Sequence, residues 1–95
     1  IDVNSGKFTG KENLEKTVLK VNKEATIEIA KQLRLRDIGG IIIIDYIDME
    51  EEKSREEIKE ILRQNLKLDR AKTQIMEFTK LNLLELTRKH MFSEE

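Results

Sequence analysis

Residues 39–49, Gly-Gly-Ile-Ile-Ile-Ile-Asp-Tyr-Ile-Asp-Met, limit most sharply what this chain can fold into. Four consecutive isoleucines between a glycine pair and an aspartate have no helical or amphipathic period. A short β-branched run bounded by turn residues predicts a strand, buried on both faces as in a parallel sheet under helices. Asp45 then lies near the carboxyl end of that strand, the edge where open α/β sheets place their ligands. A carboxylate leaving so apolar a strand needs a metal, a basic side chain or backbone N–H groups as its partner.

The strand is preceded by a helical pattern. Leu14, Val18, Val21, Ala25, Ile29 and Leu33 recur at spacings of four and three, placing a helix over roughly 13–36 with one apolar face. Asn13 or Thr9 is positioned to cap it, Arg34 and Arg36 suit its last turn, and Gly39 reads as its stop. Ahead of it, Ile1-Asp2-Val3-Asn4 reads as a strand end, followed by a loop containing Gly6 and Gly10. Strand, helix and strand make a right-handed βαβ unit, so both strands run parallel. Asp2 and Asp45 therefore belong at the same edge of the sheet.

Downstream, Ser54 is read as the cap of a second helix ending near Leu66, with Ile58, Ile61, Leu62 and Leu66 as its apolar stripe. Residues 67–72 form a basic link, and residues 73–78 suit a short strand. Leu81, Leu83, Leu84 and Leu86 permit a helix or a strand, and a short helix is the reading taken. The fold class expected is α/β, a small βαβ-based sheet with flanking helices.

The chain has 95 residues, one domain at most. Its 18 basic and 19 acidic groups leave a net charge of −1, so no global field draws it toward nucleic acid or membrane. It has no cysteine, which excludes a disulfide framework or thiolate site. No apolar run reaches the roughly 20 residues needed to span a bilayer. The start on Ile1 and the tail 89–95 read as cut ends of something longer.

Asp2, Asn4 and Asp45 form the candidate catalytic constellation. Two carboxylates and a carboxamide offer hard oxygen ligands with an incomplete shell, which suits Mg²⁺, with Mn²⁺ as a substitute. Such a metal could activate a water against a phosphodiester. The competing reading makes Asp2 and Asp45 structural, as caps or arginine partners. Asp48 is an outer-shell candidate whose plainer role is a turn cap. Lys7 and Lys11, in the loop after Asn4, are placed to meet phosphate oxygens, with ordinary surface lysines as the competing reading. Phe8 in the same loop is an aromatic that could stack on a base, though its plainer role is core or loop packing. A lone histidine, His90, makes no zinc site, and no phosphate loop is present.

Three stretches carry a resemblance: Ile1-Asp2-Val3-Asn4-Ser5-Gly6-Lys7; Asn22-Lys23-Glu24-Ala25; and the run from Ile29 through Gln32 to Met49. With Asp69-Arg70-Ala71-Lys72 and Leu84-Glu85-Leu86-Thr87-Arg88-Lys89, they look like the ribonuclease E/G family across nearly the whole chain. The resemblance implies that residues 1–95 are part of the deoxyribonuclease-I-like subdomain of that family's catalytic core. It implies that Asp2 and Asp45 hold the catalytic Mg²⁺ and that Asn4 assists. The activity implied is endonucleolytic cleavage of single-stranded RNA, not DNA, leaving 5′-phosphate and 3′-hydroxyl ends. Such proteins act in messenger RNA decay and in ribosomal and transfer RNA maturation in the bacterial cytoplasm.

The family's RNA-gripping domains are missing from these residues, and its zinc link between protomers lies outside them. The chain alone is therefore expected to be inactive, and a homo-oligomer is expected of the full-length protein. An alternative reading is a self-association module, resting on Leu81, Leu83, Leu84 and Leu86. A weaker one is a phosphatase or nucleotidyl-transfer fold using the same metal logic.

Overall fold

A computed structural model of the chain describes residues 1–3 and 15–91. Its elements, in chain order, are α1 (Glu15–Leu35), β1 (Gly40–Asp45), α2 (Glu52–Leu66), β2 (Thr73–Phe78) and β3 (Leu83–Arg88). This is a small α/β unit in which β3 is the central strand, antiparallel to both β1 and β2. Ile1–Val3 adds to the free edge of β1 through a parallel bridge between Asp2 and Asp45. The parallel pairing across a helical crossover is the one that the βαβ rule predicts.

The core lies between the helices and one face of the sheet. Val18, Ile29, Ala30 and Leu33 of α1 and Ile58, Leu62 and Leu66 of α2 meet Ile42, Ile44, Leu84 and Leu86. The isoleucine run is not buried on both faces as expected. Ile42 is 6% and Ile44 0% exposed, whereas Ile41 is 76% and Ile43 43% exposed. Strand side chains alternate between faces, and among the described residues the helices cover only one of them. The other face, carrying Ile41, Ile43 and Asp45, is open.

The leucine-rich segment expected as a helix is β3. Asn82, at φ 62°, turns the chain in the left-handed region that Asn tolerates, and the Thr79 hydroxyl accepts the N–H groups of Leu81 and Leu83. Leu84, Leu86 and Arg88 then alternate inward. Leu84 and Leu86 are each 0% exposed, so these two serve this chain's own core rather than another copy.

The helix ends also differ from expectation. Gly39 is not the stop of α1; Asp37 is, at φ 50°. The Ile38 N–H reaches the Leu33 carbonyl and the Asp37 N–H that of Arg34, a Schellman closure with aspartate in the usual glycine position. Ser54 is not the α2 cap but a buried residue of its first turn. The N-terminus of α2 is served instead by Glu15 at the start of α1. Its carboxylate accepts the N–H groups of Glu50 and Glu51 at 3.2 and 3.3 Å. Burial would push the Glu15 carboxyl up, but the Ser54 hydroxyl and these two N–H groups hold it below its ordinary value.

A candidate metal centre at the end of β1

Hydrogen bonding brings the two predicted carboxylates together. The Val3 N–H donates to the Asp45 carbonyl at 3.0 Å, and the Asp45 N–H to the Ile1 carbonyl at 2.6 Å. The Ile1 nitrogen donates to the Ile43 carbonyl at 2.7 Å. Asp2 and Asp45 are thus opposite members of a parallel pair, placing both side chains on one side of the sheet. The side is the open one, because Val3 and Ile44, the neighbours in the alternation, are buried while Asp2 and Asp45 are exposed. Among the described residues neither carboxylate has a hydrogen-bond or ion-pair partner, so the structural reading of these aspartates as arginine partners is not what the geometry shows.

Beyond Asp45 the chain leaves the sheet yet stays fixed. Tyr46, Ile47 and Met49 are buried and Asp48 is exposed between them. The side chain of Asn22, itself 0% exposed, spans both backbone groups of Ile47. Its Nδ2 donates to the Ile47 carbonyl at 2.9 Å and its Oδ1 accepts the Ile47 N–H at 3.2 Å. Thr26 Oγ1 lies 2.6 Å from the Tyr46 hydroxyl and donates to the Asn22 carbonyl at 2.7 Å. Asn82 Oδ1 accepts the Met49 N–H at 3.3 Å, and Arg55 Nη1 donates to the Met49 carbonyl at 2.6 Å.

Asn4, Lys7, Lys11 and Phe8 lie outside the described residues. Among the described residues no three His, Cys, Asp or Glu side chains are grouped to hold a metal. The described residues therefore do not by themselves make a site of three or four such ligands, as zinc needs. Two unpartnered carboxylates at one strand end do fit Mg²⁺, which takes one or two carboxylates and keeps several waters. His90 belongs elsewhere, with its Nδ1 2.9 Å from the Asp37 carbonyl oxygen.

Residues 1–91 match the model of the ribonuclease E/G family. The chain belongs to the ribonuclease E/G family. It is 52% identical over 89 residues to Ribonuclease G of Salmonella typhimurium, 51% to Ribonuclease G of Escherichia coli K12, and 53% to Ribonuclease E of Synechocystis. These matches cover 94% of the chain but only 18% of the two Ribonuclease G proteins and 13% of the Ribonuclease E protein. The chain therefore corresponds to a small portion of the family's length, one that includes the paired aspartates and the segment clamped behind them. No helix among the described residues is long and apolar enough to cross a membrane.

The sequence pointed to Asp2 and Asp45, and the fold pairs them. It did not point to Asn22, Thr26, Asn82 or Arg55, the groups that fix the backbone after Asp45. A signal existed for the first two. Residues 18, 22, 26, 29, 30 and 33 form one continuous helical arc, and the two polar members sit inside it.

Proposed function

We propose that this chain is the metal-binding, hydrolytic portion of an endoribonuclease that cleaves single-stranded RNA. The observation that carries the reading is the parallel pairing of Asp2 with Asp45, which sets two unpartnered carboxylates side by side on an open sheet face. The family relationship supplies RNA as the substrate class. It also supports the reading of messenger RNA decay and ribosomal RNA maturation, in a bacterial cytoplasm, as the setting.

In this reading Asp2 and Asp45 hold Mg²⁺, or Mn²⁺ in its place, by one carboxylate each. When bound, the dication lowers the pKa of a coordinated water and offsets charge on the phosphate in the transition state. Asn4 orients the phosphate or the attacking water by hydrogen bonding. Lys7 and Lys11 neutralise neighbouring phosphates without reading sequence. Hydrolysis breaks the bond to the 3′ oxygen and leaves 5′-phosphate and 3′-hydroxyl ends. The chain spans only 13–18% of the length of the relatives it matches. The chain by itself is therefore expected to cleave at background level, because positioning supplies much of the rate.

The test is Mg²⁺-dependent cleavage of a 5′-labelled single-stranded RNA by the full-length protein, comparing wild type with Asp45→Asn. That variant keeps the side chain's shape and removes a ligand charge. Expected is a loss of at least about 100-fold, partly recovered at high metal concentration. Undiminished cleavage by the folded variant would place the active centre elsewhere.

A further inference from the structure

We propose that Asn22 and Thr26 are positioning residues of this metal centre, reaching through the core from α1 to fix the two residues that follow Asp45. The proposal rests on the reading of Asp2 and Asp45 as metal ligands.

Asn22 and Thr26 are the polar members of an otherwise apolar buried stripe on α1. Burying an amide or hydroxyl is unfavourable unless every polar atom is bonded, and here every one is. The Asn22 amide forms a closed pair with the backbone of Ile47, using donor and acceptor at 2.9 and 3.2 Å. Its orientation is settled by chemistry. Flipping the amide would set NH₂ against the Ile47 N–H and oxygen against the Ile47 carbonyl. Both backbone groups of Ile47 are thereby satisfied without a strand partner, at the point where the chain leaves β1.

Thr26, one turn along α1, bonds the hydroxyl of Tyr46 at 2.6 Å, and the ring of Tyr46 packs against Phe78 with centroids 5.7 Å apart. Asp45 is therefore bracketed. On its amino side lies regular pairing with β3, in register Asp45–Leu83. Across the sheet edge lie Ile1 and Val3, and on its carboxyl side lies the clamp from α1. The clamp from α1 thus acts on the Asp45 side of the pair, and the Asp2 side is held to β1 by the backbone bonds of Ile1 and Val3.

The bracket has a consequence for the metal. Mg²⁺ and Mn²⁺ sites depend on ligand geometry, and Mg²⁺ demands a near-ideal octahedron. Groups behind a metal ligand typically change affinity by about 10- to 100-fold when removed, though they touch neither metal nor substrate. A polar clamp of this kind should tune metal affinity rather than merely add to stability. An isoleucine or leucine on the same arc would fill the space yet leave the Ile47 N–H and carbonyl buried and unpaired.

The experiment is Mn²⁺ binding to the full-length protein without RNA, followed by electron paramagnetic resonance of the free aqueous ion. It compares wild type, Asp45→Asn, Asn22→Ala and Val18→Ala, at a temperature where circular dichroism shows all four folded. Val18 is 2% exposed on the same arc, so Val18→Ala weakens the helix packing without touching the clamp. Expected are the weakest binding of the four for Asp45→Asn, a dissociation constant raised at least about 10-fold for Asn22→Ala, and wild-type binding for Val18→Ala. Cleavage should follow, with the Mg²⁺ midpoint of Asn22→Ala raised by a similar factor and kcat largely recovered at saturating metal.

If Asn22→Ala and Val18→Ala bind Mn²⁺ alike while Asp45→Asn binds far more weakly, Asn22 is structural only and the proposal is overturned. If Asp45→Asn binds as wild type does, the metal reading itself fails. Should Asn22→Ala not fold, Thr26→Val decides by the same comparison, since it keeps the side-chain shape and removes only the hydroxyl. A raised dissociation constant supports the clamp, and an unchanged one overturns it.

Discussion

Arg88→Met should cost about 3–5 kcal/mol of folding stability, because it leaves a buried carboxylate without its cation. Arg88 ends β3 on the core side, and its side chain is 1% exposed, as is that of Asp69. Arg88 Nε donates to Asp69 Oδ2 at 2.7 Å and Nη2 to Asp69 Oδ1 at 3.1 Å, a fork against a fork. Its Nη1 reaches Asp37 Oδ1 at 2.9 Å and the Ile38 carbonyl at 3.0 Å. One guanidinium thus joins the C-terminus of α1, the α2–β2 link and the end of β3. Methionine preserves the length of the stem and removes all four bonds. Against a total of about 5–15 kcal/mol for a native domain, the loss is large.

Urea unfolding followed by helical circular dichroism measures the cost, and a cycle with Asp69→Leu isolates its cause. If the penalty is the stranded carboxylate, Arg88→Met with Asp69→Leu will cost less than the two single changes added together. A single-mutant cost under about 1 kcal/mol, the value for an exposed pair, would refute the argument. So would strict additivity. The pH dependence gives a second reading. The Arg88 hydrogen bonds hold the Asp69 carboxyl below the ordinary carboxylate range, outweighing its burial. A depressed folded pKa means the stabilisation is present above the unfolded value of about 3.9 and is lost as pH falls through the folded value. Arg88→Met should flatten that acid limb.

Tyr46 is the only tyrosine, and burial pushes its hydroxyl up to about 12. Absorbance near 295 nm should show only about a tenth of the phenolate signal at pH 11 in the folded chain, and a transition near the ordinary 10 would contradict the burial. A raised folded pKa makes the tyrosine contribution complete below about pH 10 and lost as pH climbs through the folded value. At Asn82, φ 62° and the bond to the Met49 N–H can be separated. Asn82→Gly should cost about 1 kcal/mol for the lost acceptor, and Asn82→Ala a further 1–2 kcal/mol for backbone strain. Equal denaturation midpoints for the two variants would remove the strain component. Leu84→Glu should prevent folding, because it puts a charge at a 0% exposed position, whereas Leu81→Glu, at a 75% exposed one, should shift stability by about 0.5 kcal/mol or less. Circular dichroism with sizing separates those outcomes from a change of assembly.

The parallel pairing of Asp2 with Asp45 was legible in the sequence because it is topological. A strand, a long amphipathic helix and a second strand leave few alternatives, whatever the side chains do. The isoleucine run was legible as a strand but not as a half-open one. Hydrophobicity reports what a strand tolerates, while burial depends on which face the helices cover. The leucines near the end were ambiguous for a local reason. Spacings of two, one and two satisfy either period, and Asn82 as a left-handed turn residue was the missed sign. Nothing local marks Arg88, whose partners stand 19 and 51 residues away.

What distinguishes Asp2 and Asp45 is their setting, since exposed carboxylates elsewhere, such as those of Glu24 and Glu50, also lack a side-chain partner among the described residues. Carboxylates drawn toward the core have partners: Asp69 and Asp37 with Arg88, and Glu15 with the start of α2. Polar bonding is heavy at both ends of β1, from Arg88 at the Gly40 end and from Asn22, Thr26, Asn82 and Arg55 past Asp45. Yet Asp2 and Asp45, set side by side within this bonding, have no side-chain partner among the described residues, and neither has Asp48. The fold thus fixes the surrounding backbone by long-range polar bonds while, among the described residues, the Asp2 and Asp45 carboxylates stay without a partner, which is the arrangement the proposed metal centre requires.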